Sequence, residues 1–540
     1  MCGIWAFISN KKITEFGECY NAFMKIKNRG PDYSSFDLIH PQIALGFHRL
    51  AIIDLTIEGN QPFHLTKENK YLYSVTNGEI YNYPVLKKEY NIRTRSLSDC
   101  EVILPLYTSV GIEKMCNLLG SEFATIIVEV YKNNIKVVAA RDPVGVRPLF
   151  YSLDKKGLYL SSEIKSLCGI TNKIKVFPPG SYLEYDMSTN NFQLNSYFNY
   201  SKYLNFSQSL KTVTIGDAYQ NIRQLLINAV FSRLKSDREF GCLLSGGLDS
   251  SLVAGICRYI LPDETIHAFT ITFKSGGTDL PYAKKVAEHL RLKHHIIEID
   301  EEEALKEIIP TIYSIESYDI TTVRASIMQK LVAKYISSNT NIKVLLVGEN
   351  SDELFGGYLY SHLAPSPDEL KRDTITLVRD VHMFDGLRTD RTMSSEGLEV
   401  RLPFADVDLV NYVFNLPPEY TSPKNGVEKS LLREAFEWMN LIPKEVLWRQ
   451  KEAFSDAVSE VQKSWYQILT NHINTLVTDE EFEKMKDIYI HNPPFTKESY
   501  YYRKTFETLF GNSSSNVIKY FWMPKWSTTN DPSARTLNLK

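Results

Sequence analysis

The chain has 540 residues, 43% hydrophobic and 23% charged, with a formal net charge of −3. That length exceeds what one hydrophobic core supports and predicts two domains, while the near-balanced charge gives no electrostatic footing for nucleic acid. No run approaches the ~20 apolar residues that span a bilayer, and the start lacks the basic and apolar regions of a signal peptide, so a cytoplasmic location without membrane contact is expected.

Taken in chain order, the first half shows short β-rich runs separated by turns: QIALGF (42–47), YLYSV (71–75), FATIIVEVY (123–131), NIKVVAARD (134–142) and GLYLSS (157–162). One helix is expected over DCEVILPLYTSVG (99–111), so this half reads as packed sheets with few helices. A polar and aromatic connector follows at 196–214, and IGDAYQNIRQLLINAVFSRL (215–234) is apolar at helical spacing. Strands and helices then alternate from EFGCLL (239–244) to KVLLVG (343–348), which implies a parallel sheet covered by helices. Beyond about Pro365 the patterns are mostly helical. The expected division is therefore 1–200, a connector at 201–214, and 215–540.

The seven cysteines are scattered, with no CxxC pair, which argues against a disulfide framework and a zinc site. Six read as small buried hydrophobes. Cys2 is the exception, because loss of Met1 would place a free α-amine beside its thiol.

Two loops carry a local chemical signal. In CLLSGGLDSS the residues Ser245, Gly246, Gly247, Asp249 and Ser250 occupy a strand-to-helix turn, where glycines admit close approach of an anion and the helix start offers free N–H groups. The lysine of a kinase-type P-loop is absent. In KVLLVGENSDELFGGY, Gly348, Glu349, Asp352 and Glu353 directly follow an apolar strand and so lie at the carboxyl edge of the sheet. Carboxylates beside a phosphate cradle suit Mg²⁺, which bridges a few of them to phosphate oxygens.

These two loops resemble the pyrophosphate-loop ATP family, whose members cleave ATP between the α and β phosphates. SYDITTVRAS (317–326), the 348–360 loop, MSSEGLEVRLPFAD (393–406) and WRQKEAFSDAV (448–458) narrow the resemblance to the synthetase domain of the glutamine-dependent asparagine synthetases. RGPD (29–32), HRLAIID (48–54), NGEIYN (77–82) and SDCEVI (98–103) are similar to the N-terminal-nucleophile glutaminase of the same family.

The resemblance implies an αββα glutaminase sandwich followed by a parallel-sheet adenine-nucleotide α-hydrolase-like domain with a helical C-terminal part. It implies Cys2 as nucleophile and Asn77 with Gly78 as donors to a developing oxyanion. Arg49 would take the carboxylate of glutamine, with Leu50, Ala51, Ile52 and Ile53 beside it, and Glu79 and Asp99 would take its ammonium. In the second half Leu244, Ser245, Gly246, Gly247, Asp249, Ser250, Ile271, Val347 and Gly348 would bind ATP, Asp249 and Asp352 would hold Mg²⁺, Glu349 would act as a base and Lys451 would neutralise charge. Arg324 and Asp352 are further candidates for aspartate or pyrophosphate. The chain reads Val347-Gly348-Glu349-Asn350 where the family often has Ser-Gly-Glu-Gly.

The implied reaction makes asparagine from aspartate, glutamine and MgATP through β-aspartyl-AMP, with ammonia crossing an apolar interdomain channel and a homodimer suggested. Two other readings share the motifs: a β-lactam-synthetase-like cyclase, against which Cys2 argues, and a non-catalytic regulatory protein on the same fold.

Overall fold

The computed structural model describes residues 1–132, 134–205, 212–450, 452, 454–459 and 463–533. The N-terminal half contains twelve strands: β1 (Gly3–Ser9), β2 (Tyr33–His40), β3 (Ile43–Arg49), β4 (Phe63–Lys67), β5 (Lys70–Glu79), β6 (Glu122–Tyr131), β7 (Asn134–Arg141), β8 (Phe150–Leu153), β9 (Gly157–Ser161), β10 (Lys175–Val176), β11 (Ser181–Asp186) and β12 (Asn191–Ser196). They form two six-stranded antiparallel sheets, ordered β10-β8-β9-β1-β3-β2 and β12-β11-β7-β6-β5-β4.

The inner faces meet through Ile4, Ala6, Leu45 and Phe47 on one side and Val75, Ile126, Val128 and Val137 on the other, all fully buried. That alternation of inward residues is what period-two strands packed face to face require. The helix Phe16–Met24 covers the first sheet, with Phe23 stacked on His48, and the helices Ile103–Val110 and Ile112–Leu118 cover the second. The layers are αββα.

The single helix expected over 99–111 differs. Its start is a tight 3-10 turn, Asp99–Val102, and the helix proper begins at Ile103. Acidic side chains bind nearby backbone there: Asp99 accepts from the Ile80 N–H at 2.5 Å, and Glu101 accepts from the N–H groups of Arg95 and Ser96 at 2.9 and 2.7 Å. Such side-chain bonds compete with a regular first helical turn.

The second half is built on a five-stranded parallel sheet of β13 (Phe240–Leu243), β14 (His267–Phe273), β15 (Lys293–Ile299), β16 (Val344–Leu346) and β17 (Glu399–Arg401), in the order β15-β14-β13-β16-β17. The order reverses between β13 and β16, so the crevice at their carboxyl ends is where an open α/β sheet binds ligands. Helices start where side chains cap them. Thr214 and Asp217 form a capping box for Ile215–Arg233, and Asp319 accepts from the Thr322 N–H at 3.0 Å at the start of Ile320–Asn339. β17 was not expected, since the region past Pro365 reads as helical; three residues, two of them charged, are too short for a period-two pattern to show.

Candidate functional site

The first cluster gathers where β1 and β3 meet the end of β5. Cys2 directly precedes β1, Arg49 ends β3, and Asn77, Gly78 and Glu79 end β5. The backbone N–H of Cys2 donates to Asn77 Oδ1 at 2.9 Å, and its Sγ lies 3.8 Å from the Leu50 carbonyl oxygen. Asn77 is fully buried and its Nδ2 has no hydrogen-bond partner among the described residues. An orphaned buried donor costs about 1–3 kcal/mol, so its position beside a thiol points to an absent acceptor. Gly78 has φ +154°, and a Cβ there would lie 2.2 Å from the Glu122 carbonyl oxygen, which excludes any side chain. Burial pushes the Cys2 thiol up from its ordinary value, against the pull of the Met1 ammonium.

The other predicted glutamine-site residues surround it. Arg49 donates to the carbonyl oxygens of Ile53, Asp54 and Thr56 and to Asn60 Oδ1, so the 53–60 loop wraps its guanidinium. Asp32 of the RGPD segment accepts from the Ala51 N–H at 2.8 Å, and Leu50, Ala51 and Ile52 are buried with Ile53 half-buried. Asp99 and Glu79 are both buried acids. Burial, then Asp99 and Glu399, push the Glu79 carboxyl well above its usual range, and burial likewise raises Asp99. Arg401 opposes the rise at Glu79, its Nη2 lying 3.3 Å from Oε2.

The second cluster lines a cavity of about 220 Å³ in the β13/β16 crevice. Its floor is two loops packed backbone to backbone. A Cβ on Gly246, which has φ +82°, would lie 2.4 Å from the Ala283 nitrogen, and one on Gly348 would lie 2.7 Å from the Ser250 nitrogen. The Ser245 and Ser250 hydroxyls are 3.0 Å apart, and the Gly247 N–H donates to Ser245 Oγ at 3.2 Å. The structure brings Leu244, Ser245, Gly247, Asp249, Ser250, Ile271, Arg324, Gly348, Glu349 and Asp352 to this one cavity. Gly246 shapes the loop from behind, and fully buried Val347 is held by its N–H, which donates to the Arg401 carbonyl oxygen at 3.2 Å.

Glu349 is met by Gln329 Nε2 at 2.7 Å and Thr389 Oγ1 at 3.1 Å, with Arg388 3.8 Å away. Burial raises its carboxyl above the ordinary value, Arg388 opposing. Arg324 is engaged on both edges, by Glu498 at 2.7 and 2.8 Å and by Asp531 at 2.9 and 3.0 Å. An incoming anion would therefore have to compete with two carboxylates there. Lys451 lies outside the described residues.

Lys429, which sequence reasoning missed, sends Nζ to Asp249 at 2.6 Å and to Asp352 at 2.5 Å. Two carboxylates that share one cation at that spacing fit Mg²⁺, which takes one or two carboxylates and fills its shell with phosphate oxygens and water. Among the described residues no group of three or more His, Cys, Asp or Glu side chains could hold a metal by itself, so phosphate oxygens would have to complete the set. Glu353, of the acidic loop after β16, lines the same cavity, and the residues missed beside it are Tyr358, Asp385 and Arg388. There the Tyr358 hydroxyl donates to Glu353 at 2.7 Å and Arg388 pairs with Asp385 at 3.1 Å. Burial, then Asp385 and Asp352, push Glu353 up to about 8.

The two clusters are linked through the helix Asp385–Ser394. Its Thr389 touches Glu349, while the next residue, Asp390, pairs with Arg29 at 2.8 Å, and Arg29 Nε donates to the Cys2 carbonyl oxygen at 2.9 Å. This stretch of the interface is ion-paired, not apolar.

The Asparagine synthase family model matches residues 221–376 and 362–530, and the Glutamine amidotransferase domain model matches residues 1–211. The chain is 42% identical to asparagine synthetase [glutamine-hydrolyzing] of Gallus gallus, over 99% of this chain and 98% of the relative. Identity to the protein of that name from Homo sapiens is 40% over the same shares. It is 40% to a probable asparagine synthetase [glutamine-hydrolyzing] of Acanthamoeba polyphaga mimivirus, over the whole of both chains.

Proposed function

The chain belongs to the glutamine-hydrolysing asparagine synthetase family, and we propose that its two clusters are the two active sites of one reaction. That reaction is the ATP-dependent synthesis of L-asparagine from L-aspartate with glutamine as amide donor. The observation that carries the assignment of roles is the Cys2–Asn77 pair, with its orphaned Nδ2, in the same chain as the Asp249–Lys429–Asp352 clamp.

In the first site Met1 is removed, and the α-amine of Cys2 takes the thiol proton, held by Asn77 Oδ1. Sγ attacks the side-chain carbonyl of glutamine, Asn77 Nδ2 and the Gly78 N–H receive the oxyanion, and ammonia leaves with the proton returned by the amine. Water then cleaves the thioester to glutamate. Arg49 takes the α-carboxylate, and Glu79 with Asp99 takes the α-ammonium.

In the second site Ser245, Gly246, Gly247 and Ser250 cradle the phosphates, and Leu244, Ile271, Val347 and Gly348 hold the adenosine. The aspartate side-chain carboxylate attacks the α-phosphorus, giving β-aspartyl-AMP and pyrophosphate. Mg²⁺, held by Asp249 and Asp352, would neutralise charge on the phosphates, with Lys451 serving the same end. Glu349, whose buried carboxyl takes up a proton readily, accepts one from the attacking ammonia as AMP leaves. Ammonia reaches it through the interface between the halves. Arg324 remains the candidate for aspartate or pyrophosphate, once Asp531 gives way.

No helix among the described residues is long and apolar enough to cross a membrane; a cytoplasmic location is proposed. A homodimer is proposed on the family resemblance alone. The test is product analysis with glutamine, aspartate and MgATP: AMP and pyrophosphate must appear with asparagine, and ADP with phosphate would overturn the adenylation step.

A further inference from the structure

β17 contributes alternate residues to one face, as a strand must, and that face looks into the glutaminase half. Its Glu399 accepts from Arg401 Nε at 2.8 Å and lies 3.3 Å from the Met1 amine. Arg401 is fully buried. Its Nη1 donates to the carbonyl oxygens of Arg233 and Lys235 at 2.7 and 2.5 Å, which fixes the plane of the guanidinium. Its Nη2 points across the domain boundary to Glu79 Oε2 at 3.3 Å, and neither of those atoms has a hydrogen-bond partner among the described residues. The main chain of Arg401 belongs to the other site: it pairs with Leu346, and its carbonyl oxygen accepts from the Val347 N–H at 3.2 Å, one residue before Gly348.

We propose that Arg401, a residue of the synthetase half, is a positioning residue of the glutamine site, holding the Glu79 carboxylate in place beside Asp99 to receive the α-ammonium of glutamine. The glutaminase half thus completes its grip on the substrate across the interface. The proposal rests on the assignment of Glu79 and Asp99 to that ammonium.

The electrostatics support it. The titratable groups facing Glu79 are Asp99, Glu399, Arg401, Cys2, Cys100 and Tyr83, together with the Met1 amine until Met1 is removed. Burial and the two acids push its carboxyl up, and Arg401 is the first of the groups that pull it down. Without the guanidinium, Glu79 would be protonated over a wider pH range and would bind a cation less well.

The experiment measures glutamine hydrolysis by the full-length chain as Arg401→Gln, Arg401→Lys and Glu79→Gln, with thermal melts to establish the fold. Arg401→Gln is expected to raise KM for glutamine about tenfold, the effect of losing one contact to a charged group, with kcat changed less than about twofold. The acid limb of kcat/KM should move to higher pH, because Glu79 must ionise to bind and now does so later. Arg401→Lys should fall between this variant and the parent, and it carries the test if Arg401→Gln does not fold. A parental KM and acid limb in both Arg401 variants would overturn the proposal, as would a loss confined to kcat. If Glu79→Gln itself leaves KM unchanged, the underlying ammonium assignment fails instead.

Discussion

Lys429 Nζ stands between Asp249 and Asp352, 2.6 and 2.5 Å from their carboxylates. Asp249 lies in the first turn of the helix that follows β13, and Asp352 lies in the helix Ser351–Phe355 just past β16, so one buried ammonium joins the loops on both sides of the switch point. The Ser351 hydroxyl, donating to Asp249 at 2.7 Å, strengthens the same junction.

Replacing Lys429 with methionine keeps the length of the side chain and removes the cation. The two facing carboxylates then repel, and a loss of about 3 kcal/mol is expected from breaking so buried a pair. Thermal melts should show the variant well below the parent in chelator and partly recovered by Mg²⁺, which can take the ammonium's place. A variant indifferent to Mg²⁺ would contradict the reading of Asp249 and Asp352 as a metal pair.

Cys2→Ala should abolish glutamine-driven synthesis and leave ammonia-driven synthesis near the parental rate, since the adenylating cavity is built from other residues. Intact-mass measurement belongs beside it: active protein that retains Met1 would refute the free-amine mechanism.

Asn77→Asp keeps an acceptor for the Cys2 nitrogen at Oδ1 and removes the unpartnered Nδ2 donor. Loss of one such donor to an oxyanion costs about 10²–10³ in kcat. Steady-state glutaminase assays should show the fall in kcat, with KM for glutamine much less affected; a parental kcat would remove Asn77 from the oxyanion site.

Glu349 has a carboxyl raised by burial, so its base form gains population only above the ordinary carboxylate range. Ammonia-driven synthesis, compared at constant free NH₃, should therefore rise through a limb that lies above the ~4.3 of an exposed glutamate. Glu349→Gln should lose asparagine formation at every pH. A variant that keeps the parental limb would show that another group sets it.

How much of this was legible follows from where each signal sits. Cys2, NGE and SGGLDS are local patterns, because glycine is demanded wherever backbone packs against backbone, as at Gly246 against Ala283. Strand and helix periodicity yielded packed sheets and a parallel sheet for the same local reason, and the αββα layering came from the family resemblance. Lys429 lies 180 residues from Asp249 with nothing in its neighbourhood to mark it, and only tertiary folding brings the two together. Arg401 was hidden in a three-residue strand, and the Asp385–Arg388 wall belongs to a helix in the stretch past Pro365 that patterning marks only as helical. Arg324 was offered by the family resemblance as a candidate for aspartate or pyrophosphate, and only the fold shows that its guanidinium is paired with Glu498 and Asp531.

The central claim is that nitrogen released at Cys2 is consumed at Glu349 within one molecule. Turnover with ¹⁵N-amide glutamine in the presence of excess unlabelled ammonium measures it directly, by mass spectrometry of the asparagine formed. The account predicts asparagine that carries the glutamine label far above the isotope ratio of the solvent ammonium. Asparagine matching that solvent ratio would contradict it.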